Sequence, residues 1–205
     1  MPTPVLVDAA ANEALDAAVA LITHLSLHDG DPGTTGANEV SGGSPAYARE
    51  AVTWGSAASR EVDISAPLQF DVPASTTVLW VGMWSASTDG TYYGAIPVGG
   101  GPRKWFNMPD ATDDIIYSEA HGYSDGQSVV VFAGSGGLPG GLSEGTVYYV
   151  VNANTNDFQL ESSIGGGVIG LSSIGDGFVQ SIAPETFGSQ GVLNVNAQQI
   201  GIFAA

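Results

Sequence analysis

The chain has 205 residues, of which 43% are hydrophobic and only 12% are charged. Four basic residues face 21 acidic ones, and a net charge of -17 leaves too few cations for the phosphate contacts on which nucleic-acid binding depends. The 29 glycines and 11 prolines indicate many turns, and the lack of cysteine excludes a disulfide framework. No apolar run approaches the roughly 18 residues of a transmembrane helix, so membrane insertion is not expected.

The N-terminal segment predicts one helix. Residues 8–20, DAAANEALDAAVA, together with Ile22 place apolar side chains at the three- and four-residue spacing of a helical stripe. Leu15 and Val19 are the other members of that stripe. Asp8 stands at the position of an N-cap.

The residues that follow, ITHLSLH (22–28), alternate as in a strand, with Leu25 and Leu27 on one face and His24, Ser26 and His28 on the other. On a strand the two histidines are about 13 Å apart, which is too far for one metal ion. A continued helix would bring them together, but Ser26 and the loop after it favour the extended form. We therefore expect two half-exposed histidines on a sheet face.

The loop DGDPGTTGANEVSGGSPAYAR (29–49) invites comparison with a calcium site. An EF-hand needs a ligand at the fifth position and a bidentate Glu at the twelfth, which counted from Asp29 are Gly33 and Val40. The match fails, and Asp-Gly and Asp-Pro-Gly are strong turn formers. Long connectors are often functional, so we expect this one to contact a neighbouring subunit through Asp29, Asp31 and Arg49.

Further strand-like runs follow at a spacing of 8–12 residues: AREAVTWG, EVDISAPLQFDV, TVLWVGMWSA and GTYYGAIPV. This spacing predicts a β-sandwich or jelly-roll-like body. Both faces of TVLWVGMW are apolar, which favours burial between layers or at a subunit interface. The candidate interface aromatics are Trp54, Trp80 and Trp84. A carbohydrate-binding face is the alternative, and it would also draw on Trp105, Tyr92 and Tyr93.

The composition changes near residue 110, since all four basic residues lie before that point. Residues 112–182 contain apolar runs bounded by Gly, Asn or Asp, as expected of hairpins in a small barrel or sandwich. The final segment alternates again in VLNVNAQQIGIF, and a lone strand needs a partner elsewhere. We therefore predict a mainly β chain in which a first domain, residues 1–111 plus 183–205, is interrupted by an inserted all-β module, residues 112–182.

The motifs that carry chemistry are missing or out of context. A literal G-x-G-x-x-G at residues 165–170 is not followed by a helix, and no Walker motif or nucleophile elbow occurs. A glycosidase-like carboxylate pair is not distinguished from solvated acids. The sequence therefore predicts no catalytic residue, no cofactor and no metal ligand, and a protein that is not an enzyme.

The stretches LSLHDGDPGTTGANEVSGGSPAYAREAVTWG and DISAPLQFDVPASTTVLWVGMWSASTDGTYYGAI resemble the tail-fibre-like or minor tail virion proteins of tailed bacteriophages, especially those of actinobacterial hosts. The resemblance covers about residues 20–98, and TFGSQGVLNVNAQQIGI is similar to the closing strand of the same family. The segment HGYSDGQSVVV with LPGGLSEGTVYYVVNANTNDFQL resembles a β module that recurs in phage virion proteins.

The resemblance implies a non-enzymatic structural protein of the virion, assembled in the bacterial host cytoplasm. We expect a tail component whose partners are copies of itself, with a homotrimer favoured, and other virion proteins. The alternatives are a decoration protein on the capsid lattice and a module that adheres to a host-surface glycan. An enzyme that degrades host polysaccharide is the last of the hypotheses.

Overall fold

The computed structural model describes residues 7–197 and 200–201, and within them it shows a mainly β protein with one helix, as predicted. The N-terminal elements are α1 (Asp8–Val19), β1 (His24–His28), β2 (Glu50–Ala51), β3 (Glu61–Val62), β4 (Leu68–Val72), β5 (Thr76–Val78), β6 (Trp80–Trp84) and β7 (Tyr92–Pro97). The middle elements are β8 (Lys104–Met108), β9 (Ile116–Tyr117), β10 (Ser128–Ala133), β11 (Val147–Val151), β12 (Asp157–Glu161) and β13 (Gly175–Ser181). The last elements are β14 (Glu185–Phe187), β15 (Gly191–Val195) and β16 (Ile200–Gly201).

Helix α1 lies where the apolar stripe predicted it, and Leu15 and Val19 are buried. The expected N-cap is wrong. Val7 occupies that position without a side-chain hydrogen bond, and Asp8 is the first helical residue. The Asp8 carboxylate instead accepts a hydrogen bond of 2.7 Å from Arg60 Nε. In the part of the chain that the structure describes, no helix is long and apolar enough to cross a membrane.

The N-terminal part is built on a four-stranded antiparallel sheet in the order β2-β1-β6-β7. One face of β1 carries Leu25 and Leu27, which belong to a core that also contains residues of α1, β3, β4, β6 and β15. The core therefore lies between this sheet, the helix and the strands that close over it. The opposite face carries His24, Ser26 and His28, as the alternation predicted.

The last strands return to the N-terminal part. Three antiparallel pairs form, β14 with β5, β15 with β4, and β16 with β3. In the second pair Leu193 lies opposite Phe70, which is fully buried. These pairs give the C-terminal alternating segment the partners that a lone strand lacks.

The middle strands close into a six-stranded barrel in the order β10-β11-β12-β9-β8-β13. Its core is a separate apolar cluster that includes Phe106, Met108 and Phe158. The barrel starts at Lys104 and not near residue 112, because β8 pairs along its whole length with β13. The change in charge composition near residue 110 did not mark this start, since the last cation of the chain, Lys104, is itself the first residue of β8. The division of the chain into two domains stays a prediction.

The chain enters and leaves the barrel at one place. The backbone N–H of Ala183, just after β13, donates to the carbonyl oxygen of Val98, just after β7, at 2.7 Å. Next to this crossing Trp80 of β6 packs with Val130 and Ile182 in a small buried cluster. The Trp80 ring also meets Phe132 of β10 edge to face, with centroids 6.0 Å apart. The sheet and the barrel thus share an apolar contact.

Candidate functional site: the loop of residues 29–49

The first half of the loop folds back onto β1. Glu39 forms a β-bridge with His28, and the N–H of Asp29 donates to the carbonyl of Asn38 at 3.1 Å. Asp31 holds the turn between them, since its Oδ1 accepts from the N–H of Gly33 at 3.0 Å and its carbonyl accepts from Asn38 Nδ2 at 2.7 Å. Among the described residues no group of three or more His, Cys, Asp or Glu is arranged to hold a metal ion. Asp31 therefore acts as a turn-forming residue.

The second half of the loop is attached to the turn between β14 and β15. Gln190 of that turn accepts from the N–H of Ser44 at 2.7 Å and donates to the carbonyl of Pro45 at 2.7 Å. Tyr47 then points inward, and its hydroxyl accepts from the N–H of Leu27 at 2.8 Å. Burial raises the pKa of the Tyr47 phenol well above its ordinary value, which keeps the hydroxyl neutral.

Beneath the loop lies a buried polar chain of three side chains. Trp84 Nε1–H donates to Ser26 Oγ at 2.8 Å, and Ser26 Oγ lies 2.7 Å from His28 Nε2. His28 Nδ1 lies 2.7 Å from the carbonyl of Ala37, so Nδ1 carries a proton, and in the neutral ring Nε2 then accepts from the serine. Burial is the largest of the causes that lower the pKa of His28, and the neutral ring fits this pattern. The prediction of a half-exposed His28 is wrong, because the loop covers that face of β1.

A serine hydrogen-bonded to a histidine is also the core of a nucleophilic dyad. Here both side chains are 0% exposed, so no substrate can reach Ser26 Oγ. The hydroxyl is held from the other side by Trp84, which further fixes it in place. The arrangement therefore positions the loop on the sheet and has no access route for a reaction.

Arg49 closes the loop through an ion pair within the chain. Its Nε and Nη2 donate to the two carboxylate oxygens of Glu39 at 2.9 and 2.7 Å, which is bidentate geometry. Nη1 donates to the carbonyls of Ala86 and Asp89 at 3.1 and 2.7 Å. The guanidinium also lies 3.5 Å from the centroid of the Trp84 ring, and its side chain is only 9% exposed. The sequence predicted Arg49 at a contact between subunits, and the structure places its donors on the turn 86–89 and on Glu39.

The structure separates the aromatics that the sequence grouped together. Trp54 is half-buried and donates to the carbonyl of Ile22 at 2.9 Å, while Trp84 belongs to the polar chain under the loop. Trp80 is buried between the sheet and the barrel, so it does lie at a junction, although one within the chain. Trp105 lies apart from these three, on the barrel, and is 55% exposed. An intersubunit role for Trp54, Trp80 and Trp84, as for Asp29 and Asp31, stays a prediction.

Gly82→Ala is expected to lower the free energy of unfolding by about 1–3 kcal/mol, because an added methyl group would overlap His28 Nε2 and Ser26 Oγ. Urea unfolding measures the change. Gly188→Ala is the matched control, since a methyl group there meets no atom within 4 Å. Equal unfolding midpoints for the two variants would contradict the tight packing of β6 against the polar chain.

Lowering the pH from about 7.5 to about 5.5 is expected to destabilise the protein through His28. The unfolded chain takes up this proton near 6.5, whereas the folded pKa is lower, so the contribution of His28 is complete above 6.5 and is lost as the pH falls through 6.5. Glu39 and Asp29 oppose this shift, and Arg49 adds to it. The slope from one such group is at most about 1.4 kcal/mol per pH unit.

The measurement compares free energies of unfolding at the two pH values for the native chain and two variants. His28→Gln is expected to lose this part of the pH dependence, and His24→Gln, which changes the half-buried histidine of the same strand, is expected to keep it. Equal slopes for the native chain and His28→Gln would contradict the assignment.

Comparison of the sequence with models of protein families gives one match. Residues 7–98 match the model of a family described as podophage GP4 fiber I protein gp80. The matched range contains α1, the loop with its buried polar chain, and β1 to β7, and it ends where the chain leaves for the barrel. No curated protein and no solved structure matches the chain. The N-terminal part is thus similar to a podophage fibre protein, and this similarity supports a structural protein of a phage tail.

Proposed function

We propose that the chain is a non-enzymatic component of a phage tail that assembles with copies of itself and with other virion proteins. The match of residues 7–98 to a phage fibre family is the observation that carries the proposal. The match ends just before the barrel, so the fibre-like part is the unit made of helix, sheet and loop. The specific role is that of a tail-fibre-like or minor tail protein of a phage with an actinobacterial host.

The construction of the loop supports a structural role. A long Gly-rich connector is normally mobile, but this one is held by Gln190, by the buried His28 chain and by the Arg49–Glu39 ion pair. A loop fixed at three points presents the same surface in every copy, which repeated assembly needs. The Ser26–His28 pair is sealed from solvent, which fits a protein without hydrolytic activity.

Immunogold electron microscopy of purified virions tests the location. Antibodies raised against the full chain are expected to label the tail, and quantitative mass spectrometry is expected to find a few to a few dozen copies per particle. Labelling of the head with hundreds of copies would replace the proposal by a capsid decoration protein. Particles without label and without peptides of the chain would overturn both.

The expected homotrimer is tested on the purified full chain by native mass spectrometry. Exposed apolar side chains on the N-terminal part, such as Leu21 and Tyr93, are available to such a contact. A mass three times that of the 20.8 kDa chain supports the trimer, and a single-chain mass at every concentration contradicts it.

A further inference from the structure

The outer wall of the barrel carries a row of aromatic side chains on neighbouring strands. Phe132 of β10 lies directly opposite Phe178 of β13, and Phe178 lies directly opposite Trp105 of β8. Residues opposite each other in an antiparallel pair project from the same face. The residues next in sequence, such as Val179 and Phe106, are buried in the barrel core, so the aromatic row faces outward.

Only one end of the row is covered. Phe132 packs against Trp80 of the N-terminal sheet, and the guanidinium of Arg103 lies 3.9 Å from the centroid of its ring. Exposure then rises along the row, to 38% for Phe178 and 55% for Trp105. The next outward residue of β8 after Trp105 is Asn107. Tyr117 of β9 lies opposite Asn107 and is 39% exposed. The outer end therefore forms an open aromatic surface.

Polar side chains border this surface in a shallow depression of ≈ 500 Å³ beside Trp105 and Tyr117. Asn107 alternates with Trp105 along β8, and Glu119 follows β9. Within the described part of the chain, the Asn107 amide and the Glu119 carboxylate make no hydrogen bond, and no ring stacks on the Trp105 indole. The depression therefore combines a free aromatic ring with free donors and acceptors.

We infer that this face of the barrel binds a neutral oligosaccharide. One face of a pyranose ring consists of C–H groups that pack on an aromatic ring, while its hydroxyls radiate from the edge. Trp105 supplies the flat apolar surface. The Asn107 amide can donate to one hydroxyl and accept from another, and the Glu119 carboxylate can accept from hydroxyls. A shallow site with one large aromatic ring and a few polar groups at its rim fits one or two sugar rings.

The size and charge of the surface favour this ligand over others. Three aromatic side chains with these exposed fractions offer on the order of 300 Å², whereas a stable protein interface buries about 800 Å² on each partner. One cation, Lys104, and one free carboxylate, Glu119, leave the depression itself without net charge. The chain as a whole carries -17, which repels polyanionic glycans.

The test is isothermal titration of the full chain with hexasaccharides of glucose (α- and β-linked) and of N-acetylglucosamine, and with polygalacturonate as the anionic comparison. At least one neutral hexasaccharide is expected to bind with a dissociation constant of about 0.1–10 mM. Trp105→Ala is expected to weaken that binding about tenfold and Asn107→Ala about threefold. Ile174→Ala, which removes a 63% exposed side chain of the same barrel outside the depression, is expected to leave it unchanged.

Three results would overturn the inference. One is no heat and no saturation-transfer signal with any neutral hexasaccharide at about 10 mM. Another is equal affinity of the native chain and Trp105→Ala, with circular dichroism showing both folded. The third is self-association of the native chain that Trp105→Ala abolishes while saccharides bind neither protein, which would assign the face to a second copy. Each result is independent of where the protein lies in the virion.

Discussion

Arg49→Ala is expected to lower the free energy of unfolding by about 3–5 kcal/mol. The substitution removes the bidentate partner of Glu39 and leaves that carboxylate largely buried without a counter-ion. It also frees the carbonyls of Ala86 and Asp89 and uncovers the Trp84 ring. Chemical denaturation of the isolated chain measures the loss, and limited proteolysis is expected to cut within residues 29–48 of the variant.

Asp8→Ala provides the comparison, because it breaks a more exposed ion pair, that of Arg60 with Asp8. The Asp8 side chain is 72% exposed, so this change is expected to have an effect of about 1 kcal/mol or less. A different result is expected for Arg49→Ala if Arg49 serves mainly to pair with a neighbouring subunit. The isolated Arg49→Ala chain would then keep native stability and lose only its association.

Trp80→Ala is expected to lower the free energy of unfolding by about 3–5 kcal/mol, which is as much as Arg49→Ala. It is also expected to change the number of unfolding transitions. Trp80 is 2% exposed and fills the contact between the N-terminal sheet and the barrel. Removing it leaves a cavity against Phe132 at the place where the two cores meet. Calorimetry is therefore expected to show two transitions for the variant where the native chain shows one, because each part keeps its own apolar cluster.

Trp80→Phe is the matched variant. It retains an aromatic ring at the contact and removes an indole N–H that is buried without a hydrogen-bond partner among the described residues. Its expected cost is below about 1.5 kcal/mol, and its unfolding is expected to stay a single transition. A single transition for Trp80→Ala would mean that the crossing strands alone couple the sheet to the barrel.

Local patterns in the sequence predicted much of the fold. The apolar stripe located α1, the alternation assigned Leu25 and Leu27 to the core face of β1, and turn residues marked the loop. Such features depend on residues close in the chain, and periodicity reports them directly. Pairing between distant strands does not show in periodicity. Nothing in residues 104–108 alone indicates that they pair with residues 175–179.

The wrong prediction for His28 has a physical cause. Alternation tells which side chains share a face of β1, but it does not tell whether another segment covers that face. The loop folds back over it, so His28 is buried and Trp84, 58 positions after Ser26, completes the polar chain. Two polar side chains on one face of β1, Ser26 and His28, with Gly82 on the paired strand, were the available signal. The glycine leaves the space that the serine and histidine occupy.

The hydrogen bond between Ala183 and Val98 has a consequence for how such a chain can change over time. The chain enters and leaves the barrel at neighbouring positions, so the two ends of the segment between Val98 and Ala183 lie close together. A segment of almost any length can join two such ends. Residues 99–182 can then be lengthened or shortened without moving the strands that flank them, provided that the side chains packed on Trp80 are kept. The loops of the barrel can therefore diversify while the sheet and helix that carry the barrel keep their sequence.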